Sequence, residues 1–356
     1  MKIVIIGAGQ TGRGYLARLA FLSGADIIFI DKDENLIAEL NDKKKYLISF
    51  YGDLRAPIEI SGYEVCHSSC QEAVDAISRA DLIMTSVFAN NLQALCPLLL
   101  RGFEASSGAF PPIMVCENGV YPGDALRAEL PDNIQIGEAL ILCTTCADGL
   151  NIYSQDLDYL PYDAKRIYTQ MLVHGFVPEY NFSELCIRKN YTYNCLSAVI
   201  SYFGAEKGYL EYSCAANDGD IHERMLKTKE SLDCVLSRHF SVSIEEQKEF
   251  SEKAILKFCD REIKDSIERN ARDAKRKLGR NERIVGPLLL AEKYSENSKL
   301  FKELAASAVR YGIKEGSIEK SRWGIRKLLQ DESKLESESV INDILDLVSL
   351  PSLNKN

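Results

Sequence analysis

The rhythm of apolar and polar positions changes about half-way along the chain. Up to residue 180, short apolar runs bounded by turn residues alternate with stretches of helical period. The runs predict strands over 2–6, 27–30, 82–87, 113–116 and 134–143, with helices over 11–23, 34–41, 71–78, 92–101 and 124–130. Three more short runs, 58–60, 64–67 and 150–153, read as strands that embellish the main sheet. Alternation of this kind predicts a mostly parallel sheet covered on both faces. From Phe182 the helical period continues almost to the end, with Asn181 and Glu184 at capping-box spacing and a turn at Asn217, Asp218 and Gly219. The expected division is an α/β domain over 1–180 and an all-α domain over 181–356.

The first strand breaks directly into Gly7-x-Gly9-x-x-Gly12 and then into a helix, which is how a Rossmann-type dinucleotide-binding turn reads. Gly7 permits the tight turn, Gly9 lets backbone approach a pyrophosphate, and Gly12 brings the helix close to the strand. Gln10 and Thr11, between them, lie at the helix N-terminus, where amides favour an anion. The second strand ends in Asp31, nineteen positions after Gly12. A carboxylate there accepts ribose hydroxyls and repels a 2′-phosphate, which favours NAD over NADP.

The segment LCIRKNYTYNCLSAVISYFG predicts the first long helix of the second domain. At about 100° per residue, Leu185, Thr192, Leu196, Val199 and Phe203 form one mostly apolar face, while Asn190, Asn194, Ser197 and Ser201 form a polar row. Lys189 lies between the two, about 80° round from Ser197. Partial burial at such a boundary would lower its pKa and suit it to accept a proton. The same row could equally face solvent or a helix junction.

Composition narrows the partners. The net charge of −9 speaks against nucleic acid, no apolar run approaches membrane-spanning length, and the first strand begins at Lys2 with no signal-peptide pattern. Eleven cysteines, scattered mostly inside apolar segments, read as reduced thiols, so a cytoplasmic protein is expected, as a monomer or small homo-oligomer. Cys143 and Cys146 have CxxC spacing without a second pair, and no metal is expected. Between Glu252 and Arg283 the chain carries eleven Lys or Arg against seven Asp or Glu, a basic stretch that either holds an anion or forms a solvated helix face.

Taken together, the GAGQTGRG opening, Cys116-Glu117-Asn118 at a strand end, Lys189-x4-Asn194 and RNARDAKRKLGRNERIVGPLLLAEKY resemble the mannitol dehydrogenase family of polyol-specific long-chain dehydrogenases. The resemblance runs from Lys2 to about Tyr311. It implies NAD-dependent interconversion of a polyol or polyol phosphate with the ketose, mannitol 1-phosphate and fructose 6-phosphate being the first pair to consider. It also implies Lys189 as the base and Asn118 and Asn194 as donors to the developing alkoxide. Arg269, Arg272, Arg276 and Lys277 fall in the family's basic region. Arg272 and Arg276, expected on one helix face, would meet a substrate phosphate together with Lys277, or make internal ion pairs. Ser197 stands where the family has histidine, Ile141-Leu142 where it has Asp-Arg, and Ile187-Arg188 where a carboxylate precedes the lysine. A catalytically impaired NAD-binding relic, or a dehydrogenase retuned to another sugar alcohol or sugar acid, are the alternatives.

Overall fold

The computed structural model describes residues 1–349 apart from 54, 107, 118 and 120. Two units divide at Ser183 and Glu184.

In the first unit the strands are β1 (Lys2–Ile6), β2 (Asp26–Asp31), β3 (Lys45–Phe50), β4 (Ile58–Ser61), β5 (Glu64–His67), β6 (Leu82–Thr85), β7 (Ile113–Val115), β8 (Ile136–Glu138), β9 (Thr145–Asp148), β10 (Asn151–Ser154), β11 (Leu160–Asp163) and β12 (Phe176–Glu179). Six form a sheet in the order β5-β2-β1-β6-β7-β8, all pairings parallel. β1 is apolar at every position after Lys2 because both its faces are covered. Ile3 and Ile5 belong to one core and Val4 and Ile6 to the other. The strand order reverses between β1 and β6, and the crevice at the carboxyl ends of these strands is where such sheets hold ligands.

Several expectations are corrected. Residues 64–67 do not embellish the sheet but form its edge strand, pairing with β2. The expected strand over 134–143 is reduced to Ile136–Glu138, after which the chain leaves the sheet; Ala139 still bridges Tyr162. The helix expected from Leu92 begins at Cys96, with Pro97 at its start. β3, which the apolar pattern left unassigned, joins β4, β10 and β9 in a second sheet. This sheet packs on the first helix through Gly14, where a Cβ would lie 2.4 Å from Ile152 and 3.0 Å from Thr145. Arg18, with no exposed surface, fastens the same helix to the segment after β10. It donates to Ser154 Oγ (3.0 Å) and to the carbonyls of Gln155 (2.9 Å) and Leu157 (2.7 Å), and pairs with Asp158 at 3.2 Å.

The regular elements described in the second unit are helices, with one isolated bridge between Glu211 and Ser266. Its core gathers on the helix Cys195–Glu206, packed by Gly219–Phe240, Ile244–Cys259 and Lys299–Lys314. Asp218 caps Gly219–Phe240 by accepting from Ile221 N at 3.1 Å, which realises the expected turn. The capping box at Asn181 is not formed, since the Asn181 N–H donates to Glu179 rather than to Glu184. Among the described residues no helix is long and apolar enough to cross a membrane.

Candidate active site

The glycine turn has three different environments. Gly7, at φ 100°, has no room for a side chain, because a Cβ would lie 2.2 Å from Ser86 O in the loop after β6. A Cβ on Gly12 would lie 2.0 Å from Gly7 O, so helix and turn are in backbone contact. Gly9 has nothing within 4 Å of its would-be Cβ and is exposed. Open space over the central glycine, beside a helix start, fits a pyrophosphate. Asp31 is fixed at the tip of β2: Oδ2 accepts from Ala8 N at 2.6 Å, and Oδ1 from the N–H groups of Lys32 (2.7 Å) and Asp33 (3.0 Å). Three bonds leave the carboxylate lone-pair capacity for a ribose hydroxyl. Gln10 and Thr11 reach toward β9, where Gln10 Oε1 accepts from Ala147 N at 3.2 Å and the Thr11 and Thr145 hydroxyls lie 3.5 Å apart. Arg13, buried beside them, donates to Ala8 O at 2.6 Å and braces the turn from behind.

In the second unit the predicted helix is interrupted. Phe182–Lys189 is α-helical, Asn190–Asn194 is a π-helical turn, and Cys195–Glu206 resumes the α-helix. This changes the expected register. In an unbroken α-helix Lys189 and Asn194 would be about 140° apart, whereas i→i+5 bonding sets residues five apart nearly one above the other. Between Arg188 and Gly204, Lys189, Asn190, Asn194 and Ser197 are the partly exposed positions of an otherwise buried stretch. Asn194 Nδ2 donates to Asn190 Oδ1 at 2.8 Å, and Asn190 to Asn281 O at 3.5 Å, which orients the amide pair. The Tyr212 hydroxyl approaches Ser197 from the core.

Lys189 has no hydrogen-bond or ion-pair partner among the described residues. Burial, then repulsion from Lys257 and Arg283, lowers its pKa to about 7. A lysine in this state holds and releases a proton near neutrality. Arg188, one residue before, points elsewhere: it pairs with Glu246 at 2.5 Å and donates to Gln247 at 2.7 Å. Each of the four histidines is engaged with other groups: His67 with Ser69, His174 with Asp158, His222 with Ala216 O, and His239 with Tyr294. Asn118 lies outside the described residues. No cluster of metal-ligating side chains occurs among the described residues.

The basic region departs from expectation. Arg272 and Arg276 do not share a helix face, because the helix Ile267–Ala271 stops, Arg272 is extended, and Asp273 is left-handed (φ 64°) before Ala274–Lys277 begins. The break is stabilised where Glu315 accepts from Ala274 N at 3.1 Å. Arg272 is exposed, Arg276 pairs with Glu282 at 2.9 Å, and Arg269 pairs with Asp265. Lys277 is buried against Tyr202 and donates to Asn270 O at 2.6 Å. Burial first, then Arg283 and Arg276, lowers its pKa to about 7. Arg283 acts on both Lys189 and Lys277, and shares Glu282 with Arg276. Within this unit the surplus positive charge therefore adjoins Lys189.

Residues 1–141 match the model of the mannitol dehydrogenase Rossmann domain, and residues 183–347 that of the mannitol dehydrogenase C-terminal domain. The chain belongs to the mannitol dehydrogenase family. Relatives in the family include a mannitol-1-phosphate 5-dehydrogenase of Pseudarthrobacter chlorophenolicus, 29% identical over 81% of this chain and 79% of its own length. Another, from Emericella nidulans, is 25% identical over 96% of this chain and 94% of its own. Among solved structures, the Pseudomonas fluorescens mannitol 2-dehydrogenase ternary complex with NAD and D-mannitol superposes with a TM-score of 0.74 at 12% identity, covering 98% of this chain and 90% of that one. A D-sorbitol dehydrogenase in substrate-free form gives 0.76 at 11%, covering 97% and 92%. At these identities the structural likeness shows the fold.

Within this family fold, three groups escaped the sequence reading. Arg283 lies in the quoted basic stretch but was not distinguished from its neighbours. Lys257 sits in an ordinary helical pattern. Glu117, beside Asn118 in the strand-end motif, accepts from Val87 N at 2.7 Å and is held toward its neutral form by burial. Its position after an apolar strand was the available signal.

Proposed function

We propose that the protein is an NAD(H)-dependent oxidoreductase interconverting a polyol phosphate with the ketose phosphate, mannitol 1-phosphate and fructose 6-phosphate being the pair to test first. The observation that carries this reading is Lys189: a lysine with its pKa lowered to about 7, immediately before the π-turn that ends in Asn194, in a chain that also carries a dinucleotide turn. Gly7, Gly9, Gly12 and Asp31 would hold the cofactor, which when bound accepts or supplies hydride. Lys189 takes the proton of the substrate hydroxyl in oxidation and returns it in reduction. Asn194, oriented by Asn190, donates to the substrate oxygen as negative charge develops there. Asn118 is assigned the same role through the family motif. Arg283, with Arg276, Arg272 and Lys277 around it, supplies the field that favours an anionic substrate. The names of the relatives at 25–29% identity support a phosphorylated substrate.

The test is NADH oxidation with fructose 6-phosphate, fructose and a panel of keto sugar acids. Saturable turnover with the phosphate ester and little with fructose supports the reading. A second reading, an impaired relic, is favoured by Ser197, whose hydroxyl cannot exchange a proton near pH 7 as imidazole does. Ser197→His separates the two. A gain in ketose reduction indicates decay, and a loss on the true substrate indicates a pocket shaped around the hydroxyl.

A further inference from the structure

We infer that Phe88 is a positioning residue for the nicotinamide half of the dinucleotide. The inference rests on the cofactor reading above and extends it to a residue that no motif points to. Phe88 follows β6 in the loop that packs directly on the glycine turn, where Ser86 O and Val87 leave no space for a Cβ on Gly7. Asp31 marks the adenosine side of the β1/β6 switch point, so the loops after β6 and β7 face the other half of the ligand.

The backbone of Phe88 is strained. Its φ of 67° and ψ of 140° lie in a region that belongs almost entirely to glycine, and a bulky residue is costly there. The surroundings hold it in place. Val87 N donates to Glu117, Val87 O accepts from Asn91 Nδ2 at 2.6 Å, and Phe88 O accepts from Asn91 N at 2.9 Å. The adjoining loop after β7 comes close as well, since a Cβ on Gly119 would be 3.9 Å from that of Ala89. The result of all this fixing is a phenyl ring that is 78% exposed. A strained, over-determined turn that leaves its side chain mostly in solvent has its use in what the ring meets when ligand arrives. The ligand half on this side of the switch point is a flat heteroaromatic ring and its ribose, against which a phenyl face or edge packs favourably.

The experiment compares NADH with ADP-ribose, which lacks the nicotinamide, by titration calorimetry on the full chain. Phe88→Ala is expected to weaken NADH roughly three- to tenfold, the range of one aromatic contact, and to leave ADP-ribose within about twofold. Phe88→Gly relieves the backbone, so it should match or exceed the wild-type melting temperature while losing the same NADH affinity, and Phe88→Tyr should restore it. No loss for NADH, or an equal loss for both ligands, overturns the assignment of Phe88 alone. Failure of the wild-type protein to bind NADH overturns the dinucleotide reading and this inference with it.

Discussion

Replacing Lys189 with methionine should make the protein more stable and nearly inactive at once. Burial, followed by Lys257 and Arg283, holds the folded-state pKa of Lys189 at about 7, against 10.5 in the unfolded chain. The group therefore imposes a penalty on folding. The penalty is fully present below pH 7, where both states are protonated, fades between pH 7 and 10.5 as only the unfolded state keeps its proton, and vanishes above that. At 1.36 kcal/mol per pH unit the drop amounts to about 5 kcal/mol, and water reaching the half-buried ammonium reduces this to about 2 to 4 kcal/mol. Methionine keeps the length of the stem without the charge. Lys189→Met should raise the melting temperature at pH 6 by roughly 4–16 °C, at 2–4 °C per kcal/mol for a unit of this size. Lys277 titrates in the same window, so the rise of stability with pH between 7 and 10 should be about halved rather than abolished. Differential scanning calorimetry across that range measures both effects. Turnover should fall by roughly a hundredfold or more, with NADH affinity unchanged. A variant no more stable than wild type at pH 6, with an unaltered pH slope, would refute the claim that its surroundings lower the pKa of Lys189. Normal turnover would refute its role as base.

Three further outcomes are expected. NADH should bind at least about tenfold more tightly than NADPH, or about 1.4 kcal/mol, and Asp31→Ser should narrow that gap; equal wild-type affinities by calorimetry would remove Asp31 from the ribose site. Arg283→Ala takes away a positive neighbour, so the rising limb of the pH profile of alcohol oxidation should move by about one unit toward alkaline pH, and KM for a phosphorylated substrate should rise more than for its unphosphorylated counterpart. Asp158→Ala leaves the fully buried Arg18 without its carboxylate, takes a partner from Arg55 and His174 as well, and should cost about 3 kcal/mol in denaturant unfolding of the first unit; a change below about 1 kcal/mol would mean that the carbonyl bonds of Arg18 suffice.

What the sequence made legible was whatever depends on local pattern. The β1 turn, Asp31 at a strand end, the parallel sheet and the helical second half follow from periodicity and glycine spacing. The second sheet was harder. Runs 58–60 and 150–153 were visible, but Leu47 in β3 is exposed and β9 carries little apolar character, and the central pairing of β3 with β10 joins residues over a hundred positions apart, which local pattern does not report. The site divided in the same way. The Lys189 stripe was visible, but its register was not, because neither propensity nor period distinguishes an α-turn from a π-turn across NYTYN. Arg272 and Arg276 were placed on one face for the same reason, and the left-handed Asp273 that separates them depends on Glu315, forty-two residues away. Phe88 could not be read at all, since its conformation is imposed by Glu117 and Asn91.

The π-turn at Asn190–Asn194 has one residue more than helical continuity requires. That surplus makes the spacing of the site a matter of chain length. The helix from Cys195 onward is anchored by its own packing, so removing Thr192, which lies outside the apolar cluster that holds Tyr191 and Tyr193, would let the segment close into regular α-helix at the loss of its bond from Gln247. The whole adjustment would then fall on the preceding turn, carrying Lys189 about 100° around the axis. Substitutions across this segment test what each side chain does, whereas a one-residue deletion changes the direction in which the lysine points while leaving Lys189, Asn190, Asn194 and Ser197 all in the chain.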